Sequence, residues 1–211
     1  MARLTRSESQ ARTRAELLDT ARELFLSEGY ARTSLERVAE EAGYSKGAVY
    51  SNFRTKSQLC LEVLALIHET KFGEVTELMR PAGTLEERLA RLEGWAERTL
   101  GDVGWTMLEF EFAIVARDDP ALQTELVSSL GLVRGMVAAQ LGTLAGDLGV
   151  NLPLPAEDAA TLMLSAGLGL GIQRAVDPSL SARLITEAVG MLVRSAMSGS
   201  AASIPRDSAG G

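Results

Sequence analysis

Apolar residues recur at helical intervals along nearly the whole chain. Leu17, Leu18, Ala21, Leu24 and Phe25 stand at i, i+1, i+4, i+7 and i+8, so they share one side of a helix that Gly29 ends. Thr33 and Ser34 can cap a short second helix whose apolar side is Leu35, Val38 and Ala39. Gly43 stops that helix, because glycine takes the left-handed backbone that a tight turn needs. Ser45 then caps a third helix that turns Val49 and Phe53 inward, and Thr55 opens a long fourth helix toward Met79. Thr84 and Glu87 have capping-box spacing and open a helix that runs to Leu100. Further helices are predicted over 103–116, which Arg117-Asp118-Asp119-Pro120 ends, and over 120–148, which the Asn151–Pro155 segment breaks. Two last helices cover 157–176 and, after Asp177-Pro178-Ser179, 180–197. Six prolines and few aromatic or β-branched runs leave little room for sheet, so the pattern predicts an all-α chain of about nine helices. The Gly/Ser-rich stretch 198–211 is expected to be disordered.

The second and third helices have the order of a helix-turn-helix. What stays outward on the third is Lys46, Gly47, Ala48, Ser51 and Asn52 with the Tyr50 hydroxyl, a narrow and mostly small polar face that fits a DNA major groove. The surrounding residues make the pattern far more specific: Ala21, Phe25, Gly29-Tyr30, Thr33-Ser34, Val38-Ala39, Ala42-Gly43, Ser45-Lys46-Gly47-Ala48-Val49-Tyr50, Phe53, Lys56 and Leu59. With these, the run from Ala15 to Leu64 resembles the DNA-binding domain of TetR-family transcriptional regulators.

The resemblance implies a helix-turn-helix domain at 1–56 and a helical ligand-binding and dimerisation domain at 57–197 that includes the linking helix. Tyr44 and Ser45 stand at the entrance of the recognition helix, and Lys46 and Gly47 open it. Thr33, Tyr50, Asn52 and Lys56 look like the family's phosphate clamps. Lys46 can reach a guanine edge or a phosphate, and the Ala48 methyl is available to thymine. The final two helices are expected to pair with those of a second copy through Leu162, Ala166, Leu170, Leu184, Ala188 and Leu192.

Charge supports this orientation once it is divided. The net charge of −7 hides a split: residues 1–60 carry ten Lys/Arg against eight Asp/Glu (+2), and the remainder carries eleven against twenty (−9). The arginines are densest at Arg3, Arg6, Arg12 and Arg14, read as a stretch ahead of the first helix. A basic end on an acidic body steers toward phosphate. The lone Cys60 excludes an intramolecular disulfide framework, suits a reducing cytoplasm and reads as a buried small hydrophobe. One histidine, His68, no metal-ligand spacing and no phosphate loop argue against an enzyme, a metal site or a cofactor. No unbroken apolar run reaches the ~18 residues of a membrane span, and a signal region is lacking, so a cytoplasmic protein with no membrane partner is expected.

The body is less legible. Trp95, Trp105, Met107, Phe110, Phe112 and Met163 offer a mostly apolar lining for a ligand, with ordinary core as the competing reading. Glu109 and Glu111 are adjacent-but-one on a helix, where successive residues are ~100° apart, so one is expected to face inward and favour a cation while the other is solvated. Gly131, Gly135, Ala138, Gly142, Gly146 and Gly149 form one small-residue stripe, best read as a close helix contact and otherwise as space for a ligand. Gly167, Gly169 and Gly171 lie in a helical pattern with no preceding strand, which speaks against a nucleotide loop. Together these expectations describe a homodimeric repressor, released from a palindromic double-stranded DNA operator by a small hydrophobic effector. The alternative is a constitutive DNA-binding protein without an effector.

Overall fold

Side-chain oxygens set most of the helix starts. In the computed structural model, which describes residues 5–80 and 82–201, Thr5 and Glu8 form a reciprocal capping box, as do Thr84 and Glu87. Ser34, Ser45, Thr55 and Asp102 each accept a backbone N–H in the first turn that follows them. Among the described residues the result is nine helices and no strand: α1 (Arg6–Glu28), α2 (Leu35–Glu41), α3 (Lys46–Asn52), α4 (Lys56–Met79), α5 (Leu85–Thr99), α6 (Val103–Ala116), α7 (Pro120–Leu148), α8 (Ala156–Val176) and α9 (Arg183–Ala201). The chain is all-α, as its periodicity implies.

Three boundaries differ from expectation. The Thr5 box starts α1 at Arg6, so Arg6, Arg12 and Arg14 lie on a helix rather than ahead of one; Arg3 is outside the described residues. The last helix begins at Arg183, not 180, because the preceding residues are held as a turn. Asp177 accepts from the Ser179 N–H and hydroxyl, and Glu97 accepts from the Ala182 N–H at 2.7 Å. At its other end α9 continues to Ala201, past the expected limit at 197, and the remainder of the tail expected to be disordered lies outside the described residues.

Packing divides the chain into two compact units: residues up to 71 with 102–130, and residues 72–101 with 131 onward. In the first, Phe25 of α1, Val38 of α2, Val49 of α3, Phe53, and Leu59 and Val63 of α4 share one core with Leu108 and Phe112 of α6. Cys60 is buried there as expected, and desolvation pushes its thiol above the ordinary range. Gly104 lets α6 come close: a Cβ on it would stand 2.4 Å from the Leu26 carbonyl oxygen of α1. The Glu111 carboxylate completes this contact by accepting the Tyr30 N–H at 2.7 Å and the Ala31 N–H at 3.3 Å.

The second unit packs α5 and α8 on α9. Leu85, Leu144 and Val193 form one apolar cluster, Trp95, Ala96 and Ala182 a second, and Ala138, Leu141, Ala159 and Ala160 a third. Its buried Arg88 reaches Asp147 at 2.8 Å, so that charge is paired. The glycine stripe does not mark close packing within the chain. A Cβ on Gly131, Gly135, Gly142 or Gly146 would meet no atom within 4 Å, and α7 runs unbroken through all four. α8 likewise runs straight through Gly167, Gly169 and Gly171, with no strand ahead of it.

These helices also qualify the expectation about membrane spans. Single apolar runs are short, but α7 and α8 each contain an 18-residue window of mean hydropathy 1.2, long and apolar enough to cross a bilayer by composition alone. Leucine, alanine, valine and methionine carry that mean between isolated polar residues. The windows are 17% and 22% buried within the chain, which leaves both helices with apolar surface facing outward.

Gly104→Ala should test how tightly α6 is seated on α1. A helical alanine gains ~1 kcal/mol over glycine, but here its methyl meets a backbone carbonyl that cannot swing aside. A net loss of about 1–3 kcal/mol is expected, read as a lowered thermal midpoint. An unchanged midpoint would mean that the two helices part without cost.

Candidate nucleic-acid interface

The turn between α2 and α3 is built by two hydrogen bonds. Tyr44 N–H donates to the Ala39 carbonyl at 2.8 Å and Gly43 N–H to that of Glu40 at 3.1 Å, with Gly43 at φ 73°. This is a Schellman closure, and its left-handed residue is where glycine is required. Ser45 Oγ then accepts the Ala48 N–H at 3.2 Å and starts α3. Val49 and Phe53 are fully buried on one side of the helix, and Lys46, Gly47 and Tyr50 are exposed on the other. A Cβ on Gly47 would meet only Ser45 Oγ, at 3.8 Å, so nothing inside the protein forbids a side chain there.

Other expected DNA-contact residues are partly committed to the fold. Asn52 donates through Nδ2 to the Ala48 carbonyl at 2.8 Å. Thr33 is buried, and its hydroxyl donates to the Gly29 carbonyl at 3.0 Å, so the expectation of a phosphate clamp does not suit its side chain. Lys56 places its ammonium 4.2 Å over the Tyr30 ring and 3.3 Å from the Ala31 carbonyl, and desolvation lowers its pKa. Of the early arginines, Arg14 pairs with Glu62 at 2.5 Å and lies over the Phe53 ring, and Arg12 pairs with Glu16 at 2.7 Å. Those two therefore serve the head's own structure.

The sequence reading overlooked two carboxylates beside α3. Tyr50, 49% exposed, donates its hydroxyl to Glu36 Oε1 at 2.6 Å, and Tyr44 donates to Glu16. The Tyr50 hydrogen bond holds the Glu36 carboxyl below its usual range, and the same contact raises the Tyr50 phenol. Tyrosine and carboxylate are 14 residues apart in one pair and 28 in the other, which no local spacing rule reaches.

The expected ligand-lining residues do not converge. Phe112 is fully buried in the core around α3, and Trp105 packs against the same core, so both are structural there. Phe110 is exposed on an apolar stripe of α6 with Val103 and Ile114, and Met107 stands half-buried in the same stripe, at i, i+4, i+7 and i+11 from Val103. Trp95 and Met163 belong to the second unit, in separate clusters; Trp95 Nε1 donates to Glu74 at 2.9 Å. The expectation that one of Glu109 and Glu111 faces a cationic ligand while the other is solvated is also replaced. Glu111 accepts the two backbone N–H groups after Gly29, and Glu109 bonds His68 and accepts the Trp105 Nε1–H at 3.0 Å. His68 itself is buried in a packed role.

The expected dimer residues split by exposure. Leu162 and Leu184 are 54% and 56% exposed, Ala166 is exposed and Ala188 half-buried. Leu170 is buried within its own subunit, and Leu192 packs on the Ala138–Ala160 cluster, so these two already have partners inside the chain. Leu168 of α8 and Met191 of α9 are further exposed apolar residues of the same two helices.

Comparisons with known proteins bear on the same region. The sequence pattern of bacterial regulatory proteins of the tetR family matches residues 17–63. The HTH-type transcriptional regulator TtgR of Pseudomonas putida is 34% identical over 97 residues, 44% of this chain and 46% of that protein. AcrR of Shigella flexneri is 43% identical over 75 residues, 36% of this chain and 34% of that one. The aligned stretches thus span less than half the length of these relatives. Over most of its length the chain shares the fold of a protein from Saccharomonospora viridis, described as a transcriptional regulator and solved with choline. That likeness has a TM-score of 0.65 at 22% identity and covers 87% of this chain and 96% of the other.

Two glycines of the turn and helix should separate folding from surface access. Gly43→Ala forces a side chain into the left-handed region and should lower stability by roughly 1–2 kcal/mol. Gly47→Ala should keep or raise the thermal midpoint, since it favours the helix, and should weaken DNA binding because its methyl stands on the open face. Equal thermal losses in both variants would refute this division of roles.

Proposed function

The chain belongs to the TetR family of transcriptional regulators by its DNA-binding head, and on that premise we propose that it is a homodimeric repressor of a palindromic operator, released by a small apolar effector. The observation that carries the DNA-binding part is the two-sided nature of α3. Val49 and Phe53 fix the helix from behind while Lys46, Gly47, Ala48 and Tyr50 face outward on a small polar surface. A major groove takes a helix of that shape, with Lys46 near base edges and Tyr50 near the backbone.

A second copy suits the outward apolar surface of α8 and α9. Leu162 and Leu168 on α8, with Leu184 and Met191 on α9, are large apolar groups that a subunit alone leaves in water. Covering them with the same surface of a second chain buries them in a two-fold arrangement and presents two recognition helices to one palindrome. This reading also accounts for the hydropathy of α8 without a bilayer, and it fits a cytoplasmic regulator.

The effector reading rests on the outward stripe of α6. Val103, Met107, Phe110 and Ile114 form an apolar face on a helix whose other face, through Leu108 and Phe112, belongs to the core behind α3. A ligand that engages this stripe therefore acts on the helix that supports the reading head. Its energetic reach is its differential affinity for the two states of the head, typically about 1–3 kcal/mol. The relative solved with choline shows that one protein of this fold takes a small organic cation. Here both nearby carboxylates already serve protein donors, so an uncharged apolar compound is the better candidate.

The test is a DNA titration with Lys46→Ala and Tyr50→Ala, with helicity and oligomeric state measured alongside. Both variants should stay folded and bind more weakly, and log affinity for the wild type should fall steeply with log salt, by ~0.9 per phosphate neutralised. Unchanged affinity in both, or a slope near zero, would remove the assignment. Repeating the titration with diverse apolar compounds should identify ones that release DNA, and a complete absence of release would favour the constitutive reading.

For the dimer, Leu162→Glu or Met191→Glu should yield monomers in sedimentation and abolish tight operator binding, since an unpaired charge cannot be buried there. Leu170→Glu should instead unfold the subunit. Dimers that persist in both exposed-site variants would count against this surface.

A further inference from the structure

Tyr50 has one hydroxyl proton to donate, and the protein has already given it an acceptor. The acceptor is a carboxylate: Glu36 Oε1 lies 2.6 Å from the Tyr50 oxygen, in the first turn of α2. An ionised carboxylate accepts and cannot donate, so the proton of this pair belongs to the tyrosine. A DNA phosphate asks for the same proton and carries the same sign of charge as Glu36. The two anions cannot share the hydroxyl, and bringing them together is repulsive.

We propose that Glu36 is an internal stand-in for a DNA phosphate, which occupies the Tyr50 hydroxyl in the free protein and has to be displaced before the head can close on DNA. The inference rests on the DNA-binding reading and adds a residue that opposes it. Several features fit. The Tyr50 hydrogen bond holds the Glu36 carboxyl below its usual range, and its place in the first turn of α2 also favours the negative charge. The attraction of Lys46 acts on Glu36 in the same direction, which places the carboxylate within the influence of the lysine expected at the DNA. The pairing is repeated just ahead of the recognition helix, where Tyr44 donates to Glu16, which also holds Arg12. Tyr44 ahead of α3 and Tyr50 within it are thus each matched to an anion of the protein's own. In consequence the free head is preorganised as though phosphate were bound, and its affinity is held below what Lys46 and Tyr50 would give unopposed. Because phosphate contacts carry no sequence information, this restraint applies to operator and random DNA alike.

The experiment compares Glu36→Gln with the wild-type full-length chain for binding to a random-sequence duplex of fixed length, after circular dichroism has checked the fold. Glutamine keeps the size and a weak acceptor but removes the charge. Affinity should rise roughly two- to tenfold, the range set by one hydrogen bond exchanged at a surface. Glu40→Gln makes the same charge change one turn further along α2 and should give a smaller gain. In a Tyr50→Phe background, the gain from Glu36→Gln should shrink to that of Glu40→Gln, because the hydroxyl for which carboxylate and phosphate compete is gone. Affinity that is unchanged or reduced in Glu36→Gln would overturn the inference and make Glu36 a positioning partner of Tyr50. A gain that persists in full without the hydroxyl would also overturn it, in favour of bulk charge. If the wild type shows no salt-dependent binding to any duplex, the DNA-binding reading fails together with this one.

Discussion

The position of α3 depends on one buried contact set. Val49 and Phe53 have no exposure, and the core that receives them is closed by Leu108 and Phe112 from a helix about sixty residues further along the chain. A seven-residue helix cannot hold itself in water, so its orientation is inherited from what it packs on. The close approach at Gly104 and the Glu111 carboxylate on the Tyr30 and Ala31 amides fix that supporting helix to the head. The DNA-facing surface is in this sense the outer side of a core assembled from two distant stretches of sequence.

Electrostatics on that surface run in both directions. Lys46 supplies attraction, while Arg12 and Arg14 are spent on Glu16 and Glu62. The formal surplus of +2 over residues 1–60 therefore overstates the positive charge free to meet a phosphate. The Glu36 and Glu16 carboxylates then lower it further at Tyr50 and Tyr44. A surface balanced so closely between the two signs of charge responds to small changes in geometry.

The fold was largely legible because its signals are local. Capping residues, helix-ending glycines and one-sided apolar stripes lie within a few residues of the boundary they set, and α2, α3, α5, α6 and α7 follow them closely. The Thr5/Glu8 spacing that starts α1 is a local signal of the same kind. The recognition helix was legible for the same local reason. What the sequence hid is tertiary: the tyrosine–carboxylate pairs, the clash that Gly104 avoids, and the burial of Thr33, Phe112 and Leu170. A small-residue stripe illustrates the limit. Spacing places Gly131 to Gly146 on one side of a helix but cannot say what lies beside them; among the described residues no atom comes within 4 Å of a Cβ there.

The interleaving of the first unit bears on how the protein is made. A chain emerging from the ribosome presents α1 to α4 before α6 exists, so the reading head first appears with Phe25, Phe53 and Leu59 facing an incomplete core. At an elongation rate of ≈ 5–20 residues per second, the residues between α4 and α6 impose a wait of a few seconds. During that interval the nascent head lacks Leu108, Phe112 and the Glu111 carboxylate that seats the turn after Gly29. Translation thus delays the finished core behind α3 until α6 has also been synthesised. A fragment cut after α4 would stay permanently at that unfinished stage.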